Sequence, residues 1–123
     1  MNQAKTALIA DDSASIRMVV SITLRDAGVK VVEVANGEEA LRLAQQQQFD
    51  FVITDINMPI MDGLDLIKAL RKLAGYRFTP ILTLTNLNSD SIKQELKALG
   101  ATGWIQKPFG AESLLKTLEK VAV

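Results

Sequence analysis

The chain has 123 residues, 48% of them hydrophobic, with 14 basic and 14 acidic side chains. That size and apolar content suit one domain with its own core and exclude a disordered chain, and a net charge of zero argues against binding nucleic acid or an anionic membrane through released counterions. Cys and His are both absent, which excludes disulfides, thiol nucleophiles, zinc–thiolate and histidine metal sites, serine-type triads and a phosphohistidine on this chain.

The N-terminal stretch "MNQAKTALIADD" has no signal-peptide core, and the apolar runs fall far short of a membrane span, so a cytoplasmic location is expected. The first candidate strand is Thr6–Ala10, closed by the adjacent carboxylates Asp11 and Asp12. A helix follows, with Ser13 as N-cap, Gly28 as C-cap, and Ile16, Val19, Val20, Thr23, Leu24 and Ala27 on its inward face. Val29–Val34 is the second strand, and "VEVANG" leads to a helix at about Gly37–Gln47, capped by Asn36, with Ala40, Leu41 and Ala44 inward. The glutamine run Gln45–Gln48 reads as its solvated end. Phe51–Thr54 is the third strand, and the helix after it starts near Gly63 and carries Leu66, Ile67, Leu70 and Leu73. Pro80–Thr85 is the fourth strand, followed by a helix with Ile92, Leu96 and Leu99 that stops at Gly100. Gly103–Gln106 is the fifth, and the last helix carries Leu114, Leu115, Leu118 and Val121. Strand and helix alternate five times, which predicts an α/β fold with a parallel sheet covered on both faces.

In such a sheet ligands bind at the carboxyl ends of the strands. Those ends hold Asp11 and Asp12 on the first strand, Asp55 on the third, Thr85 on the fourth, and Lys107 with Pro108 after the fifth. Each has an ordinary alternative: Asp12 as a helix cap, Lys107 as a solvated lysine, Thr85 as a strand former. Together they suggest a site. Three carboxylates and one ammonium leave a charge of −2, which one hard, oxygen-seeking divalent cation such as magnesium neutralises. A metal beside a carboxylate, a lysine and a hydroxyl suits phosphoryl transfer, with Asp55 as the nucleophile.

The segments "ADDS", "TDINMPIMDG", "LTLTN" and "WIQKPF", in this order and spacing, resemble the signatures of the two-component response-regulator receiver domain, and the resemblance covers essentially the whole chain. It implies a flavodoxin-like, doubly wound sheet of strand order 2-1-3-4-5 with five helices, forming one receiver domain over residues 1–123 without an output domain. It implies Mg2+ as cofactor and a histidine kinase or histidine phosphotransfer protein as phosphodonor. By position, Asp11 and Asp12 match the metal-binding acidic pair and Asp55 the phosphoacceptor, itself a metal ligand. Asn57 matches a residue whose backbone carbonyl ligates the metal, and Thr85 and Lys107 match the binders of the phosphoryl oxygens. Trp104 matches an aromatic switch position, commonly Tyr or Phe, and Lys107–Pro108 a cis peptide bond. Asn86 and Leu87 fall where the family tunes access of water and phosphodonor; a small residue is commoner at the first.

"YRFTPIL", with the chain length, resembles the stand-alone chemotaxis type, which implies a monomer that docks on a protein target such as the flagellar motor switch. Met18, Met58 and Met61 are candidates for a partner surface or for gap-filling core. Three other functions compete with this one. A dehalogenase-like phosphatase needs an Asp two residues after its nucleophile, where this chain has Asn57. A nucleotide or flavin module lacks any GxxxxGK or GxGxxG here. A phosphate-independent receiver scaffold would not need all five site residues.

Overall fold

The structure, a computed structural model, describes residues 5–86 and 89–121, with Val121 described through its backbone alone. Leu87 and the side chain of Val121, both singled out from the sequence, lie outside the described residues.

Five parallel strands, β1 (Thr6–Ala10), β2 (Lys30–Val34), β3 (Phe51–Asp55), β4 (Ile81–Thr85) and β5 (Gly103–Gln106), alternate with five helices, α1 (Ala14–Asp26), α2 (Gly37–Gln46), α3 (Gly63–Lys72), α4 (Asp90–Leu99) and α5 (Ala111–Val121). The strand order is β2-β1-β3-β4-β5, the doubly wound order expected. One difference matters for the site: Asp55 is the last residue of β3, paired in register with Leu84, and not the first loop residue after it.

The strands are parallel, so both faces of the sheet are covered, and the three inner strands β1, β3 and β4 are almost wholly buried. Leu8, Ala10, Val52 and Ile81 point to one layer, closed by Ala40 and Ala44 of α2, Leu66, Ile67 and Leu70 of α3, and Leu96 of α4. Ala7, Ile9, Ile53, Leu82, Leu84 and Ile105 point to the other, closed by Val20 and Leu24 of α1 and Leu114 and Leu118 of α5. Met58 and Met61 pack at the edge of the first layer, whereas Met18 is exposed.

Local chemistry sets the helix starts. Ser13, Asn36, Asp62 and Ser89 each accept a hydrogen bond from the backbone N–H three residues on, the N-cap arrangement. Gly100 ends α4 in the left-handed region. At the end of α1 the C-cap is Ala27, and Gly28 lies one residue beyond it at φ +87°. The periodicity of α1 placed Val20, Thr23 and Leu24 on its buried face, with Ile16 partly buried beside them, and differs from the structure at the edges of that face. Val19 and Ala27 are exposed, and Ser21 is fully buried beside Val20, Thr23 and Leu24. The helix thus rolls Val19 toward solvent together with Met18 and Ile22.

After α3 a single 3-10 turn, Ala74–Tyr76, carries a side chain whose role was not evident from its spacing. The Tyr76 hydroxyl donates to the Gln47 carbonyl at 2.6 Å and accepts from the Phe49 N–H at 3.0 Å, tying the α2–β3 connection to the α3–β4 connection. Arg71 spreads its guanidinium over the carbonyls of Tyr76, Thr79 and Gly100, joining the end of α3 to the end of α4. Among the described residues no helix is long and apolar enough to cross a membrane.

Candidate functional site

The carboxyl ends of β1, β3 and β5 bring three of the sequence-predicted acids and the lysine together. Carboxylate oxygens of Asp11, Asp12 and Asp55 lie within 4.8 Å of one another. The Lys107 ammonium sits between two of them, 3.2 Å from Asp55 Oδ2 and 3.5 Å from Asp11 Oδ2. The Lys107 backbone N–H donates to the Thr85 carbonyl at 2.7 Å, which seats the loop after β5 on the end of β4; the Lys107–Pro108 peptide is cis.

Asp11 is the most confined of the three. It is fully buried; Oδ1 accepts the Ser13 N–H at 2.9 Å, and Oδ2 has no hydrogen-bond donor. Burial holds its carboxyl above the ordinary carboxylate range, since the charged form loses water, and the nearby negative charges of Asp55 and Asp12 act in the same direction. The Ser13 N–H and the Lys107 ammonium oppose the shift without cancelling it. Asp55 is nearly buried, with Oδ1 bound by the Ile56 N–H at 2.8 Å and Oδ2 turned to Lys107. Asp12 stands exposed at the mouth. It does not cap α1, since Ser13 does.

An undonated buried carboxylate oxygen beside two further carboxylates fits a small divalent cation: the donors are all oxygen, and one ammonium does not balance them. Asn57, exposed in the β3–α3 loop, follows Asp55 by two residues. Thr85 is buried at the end of β4 and Asn86 exposed just beyond it. Trp104 is half-buried, packed against the layer that holds Ile81 and Leu96. Its register partner is Thr83, so by strand alternation Trp104 and Thr85 share that face of the sheet. An open cavity of about 320 Å³ lies at the mouth beside Lys107, lined also by Ile16, Val19, Asn86, Pro108 and Phe109. A larger one, about 430 Å³, is lined by Gln45–Gln48 and the 3-10 turn and has no charged group in its wall.

Two further residues support the site: Gly63, expected from the sequence only as a helix start, and Arg17. Gly63 begins α3 directly against the backbone at the end of β3: its N–H donates to the Ile56 carbonyl at 2.7 Å. A Cβ there would overlap the Asp55 carbonyl oxygen and come within 2.9 Å of Ile56 Cα. The available signal was a glycine at a helix start, where Ala would otherwise serve. Arg17, in α1, donates through Nη1 to the Asp11 carbonyl at 2.6 Å. Nothing in a hydrophobic pattern marks such a contact, because every residue offers a carbonyl.

The chain compares closely with known proteins. Residues 7–119 match the response regulator receiver domain family. The solved structure of the chemotaxis response regulator CheY4 of Vibrio cholerae is 53% identical, covering 97% of this chain and 99% of that one with a TM-score of 0.93. Chemotaxis protein CheY-3 of the same species is 36% identical over 98% of this chain and 94% of its own length. The receiver domain of the sensor histidine kinase PA1611 of Pseudomonas aeruginosa, solved with a magnesium ion coordinated in its active site cleft, is 26% identical over 98% of each chain, with a TM-score of 0.89. Other relatives are far longer: the chain spans 16% of the sensory/regulatory protein RpfC of Xanthomonas campestris, to which it is 37% identical. With its strand order, its acidic cluster and these likenesses agreeing, the chain belongs to the response regulator receiver domain family.

Proposed function

We propose that the protein is a phosphorylation-dependent signalling receiver of chemotaxis type, with Asp55 as phosphoacceptor. The observation that carries this is the Lys107 ammonium set 3.2 Å from Asp55 Oδ2 within a cluster of three carboxylates. Asp11, Asp12, Asp55 and the Asn57 carbonyl would hold Mg2+, which supplies neutralisation of the charge on the transferring phosphoryl group. A carboxylate oxygen of Asp55 bonds to phosphorus as the P–N bond of a kinase's or phosphotransfer protein's phosphohistidine breaks. The bonding pair stays on the imidazole nitrogen. Lys107 leaves its ion pair with Asp55 to bind a phosphoryl oxygen, and the Thr85 hydroxyl binds another. Ile56 N–H holds Asp55 Oδ1 in place throughout, which limits the geometry that the donor must match.

Output follows from the shared face of β4 and β5. Thr85 drawn toward the phosphoryl group changes the space beside Trp104, and a half-buried indole that moves alters a large apolar area on the surface formed by α4, β5 and α5. The likeness to CheY-type proteins supports a target in the chemotaxis apparatus, such as the flagellar motor switch.

Incubation with acetyl phosphate and Mg2+, followed by intact mass, tests the assignment. One base-labile phosphoryl group is expected on the wild type and none on Asp55→Asn; undiminished labelling of the variant would overturn it. Trp104, the only tryptophan, reports the switch. Its emission should change on phosphorylation of the wild type, and less in Thr85→Ala.

A further inference from the structure

Arg17 occupies a place that the phosphoryl chemistry does not call on. Its Nη1 donates to the Asp11 carbonyl at 2.6 Å, and its Nε lies 3.6 Å from Glu33 Oε1 on β2. Glu33 is itself flanked by Arg25 of α1, with Nη2 3.6 Å from Oε2. Arg17 is mostly buried and held from behind by a carboxylate that a second arginine also engages.

The Asp11 carbonyl belongs to the peptide that joins Asp11 to Asp12. A peptide is planar, so a donor on that oxygen fixes the plane carrying Asp12's N–H and Cα. On the other side of Asp12, Ser13 is fixed twice: its N–H donates to Asp11 Oδ1, and its hydroxyl caps α1. Asp12, exposed at the mouth, is therefore aimed by its neighbours' bonds. We infer that Arg17 is a positioning residue for the metal centre, which presents Asp12 to Mg2+ by clamping the Asp11–Asp12 peptide while Glu33 and Arg25 hold the guanidinium in register.

This inference rests on Asp12 being a ligand of Mg2+, and its sign separates it from a simple charge effect. A cation near an acidic cluster opposes Mg2+ through space, so removing Arg17 for charge reasons alone would tighten Mg2+ binding. Removing a group that orients a ligand weakens it, by roughly tenfold in comparable metal sites. Lysine keeps the charge but lacks the planar fork that spans the carbonyl and Glu33 together.

The test is calorimetric titration with MgCl2 well below the melting temperature, on the wild type, Arg17→Gln, Arg17→Lys, Asp12→Asn and the Arg17→Gln/Asp12→Asn pair. Loss of stability alone would lower the melting temperature of the Arg17 variants without changing the affinity of the folded protein. Arg17→Gln should bind Mg2+ about tenfold more weakly and Arg17→Lys intermediately, as is usual when an oriented support is lost. In the Asp12→Asn background Arg17→Gln should have no further weakening effect. Tighter or unchanged binding by Arg17→Gln, or an undiminished Arg17 effect without Asp12, would overturn the inference. If the wild type itself bound no Mg2+, the metal centre proposed above would fail instead, an outcome distinct from the first.

Discussion

Gly63→Ala is the sharpest probe of how the site is built. The added methyl would overlap the Asp55 carbonyl oxygen, sit 2.9 Å from Ile56 Cα and 3.0 Å from the Asp55 carbonyl carbon. All three are backbone atoms of Asp55 and Ile56, so no flexible side chain can swing away. Either α3 shifts outward, breaking the bond from the Gly63 N–H to the Ile56 carbonyl, or Asp55 moves and loosens the bond that its carbonyl accepts from the Thr54 hydroxyl at 2.8 Å. Overpacking of this kind costs about 3 kcal/mol at the upper end of its usual range. The better helix propensity of Ala returns at most about 1 kcal/mol. A net loss near 2 kcal/mol lowers the melting temperature of a domain of this size by roughly 8 °C. Gly28→Ala is the control: Gly28 has φ +87° and open space around it, so the variant loses about 1 kcal/mol through backbone strain alone. Thermal melts should rank Gly63→Ala below Gly28→Ala, and Mg2+ titration should show weakened binding only in Gly63→Ala. Equal melting temperatures with unchanged Mg2+ affinity would refute the close-approach reasoning.

Three further outcomes are expected. Ile60, a β-branched residue at φ 70° and 74% exposed, is strained without burying much, so Ile60→Gly should raise stability in urea unfolding by up to about 1 kcal/mol; a loss would show the strain to be absent. Tyr76→Phe should cost about 2 kcal/mol in the same assay, since it orphans the buried Phe49 N–H and the Gln47 carbonyl, and a change under about 0.5 kcal/mol would contradict that. Asp11 carries a raised carboxyl in the fold, so the metal-free native state holds its proton to higher pH than the unfolded chain does. Its contribution is therefore full below the ordinary carboxylate pKa of about 3.9 and is lost as pH rises through the raised value. In EDTA, Asp11→Asn should flatten that decline and melt higher than the wild type at neutral pH; a profile parallel to the wild type would refute it.

Most of the fold was legible along the chain because its causes are local. Alternation of strand and helix, the caps Ser13 and Asn36 and the stop at Gly100 each depend on residues within a few positions of one another. The closeness of the acids and Lys107 was legible because parallel strands put their carboxyl ends on one edge, whatever the details of packing. Tertiary structure alone decided the rest. The roll of α1 that buries Ser21 and exposes Val19 depends on how the helix meets β1 and α5, and a hydroxyl and an isopropyl group two positions apart do not specify it. That Lys107 lies between Asp11 and Asp55, that Arg17 grips the Asp11 carbonyl, and that Gly63 lies against Asp55 are contacts between segments distant in sequence or with backbone atoms. Backbone groups are the same at every residue, so no pattern of side chains marks which carbonyl will be held; only the folded path of the chain does.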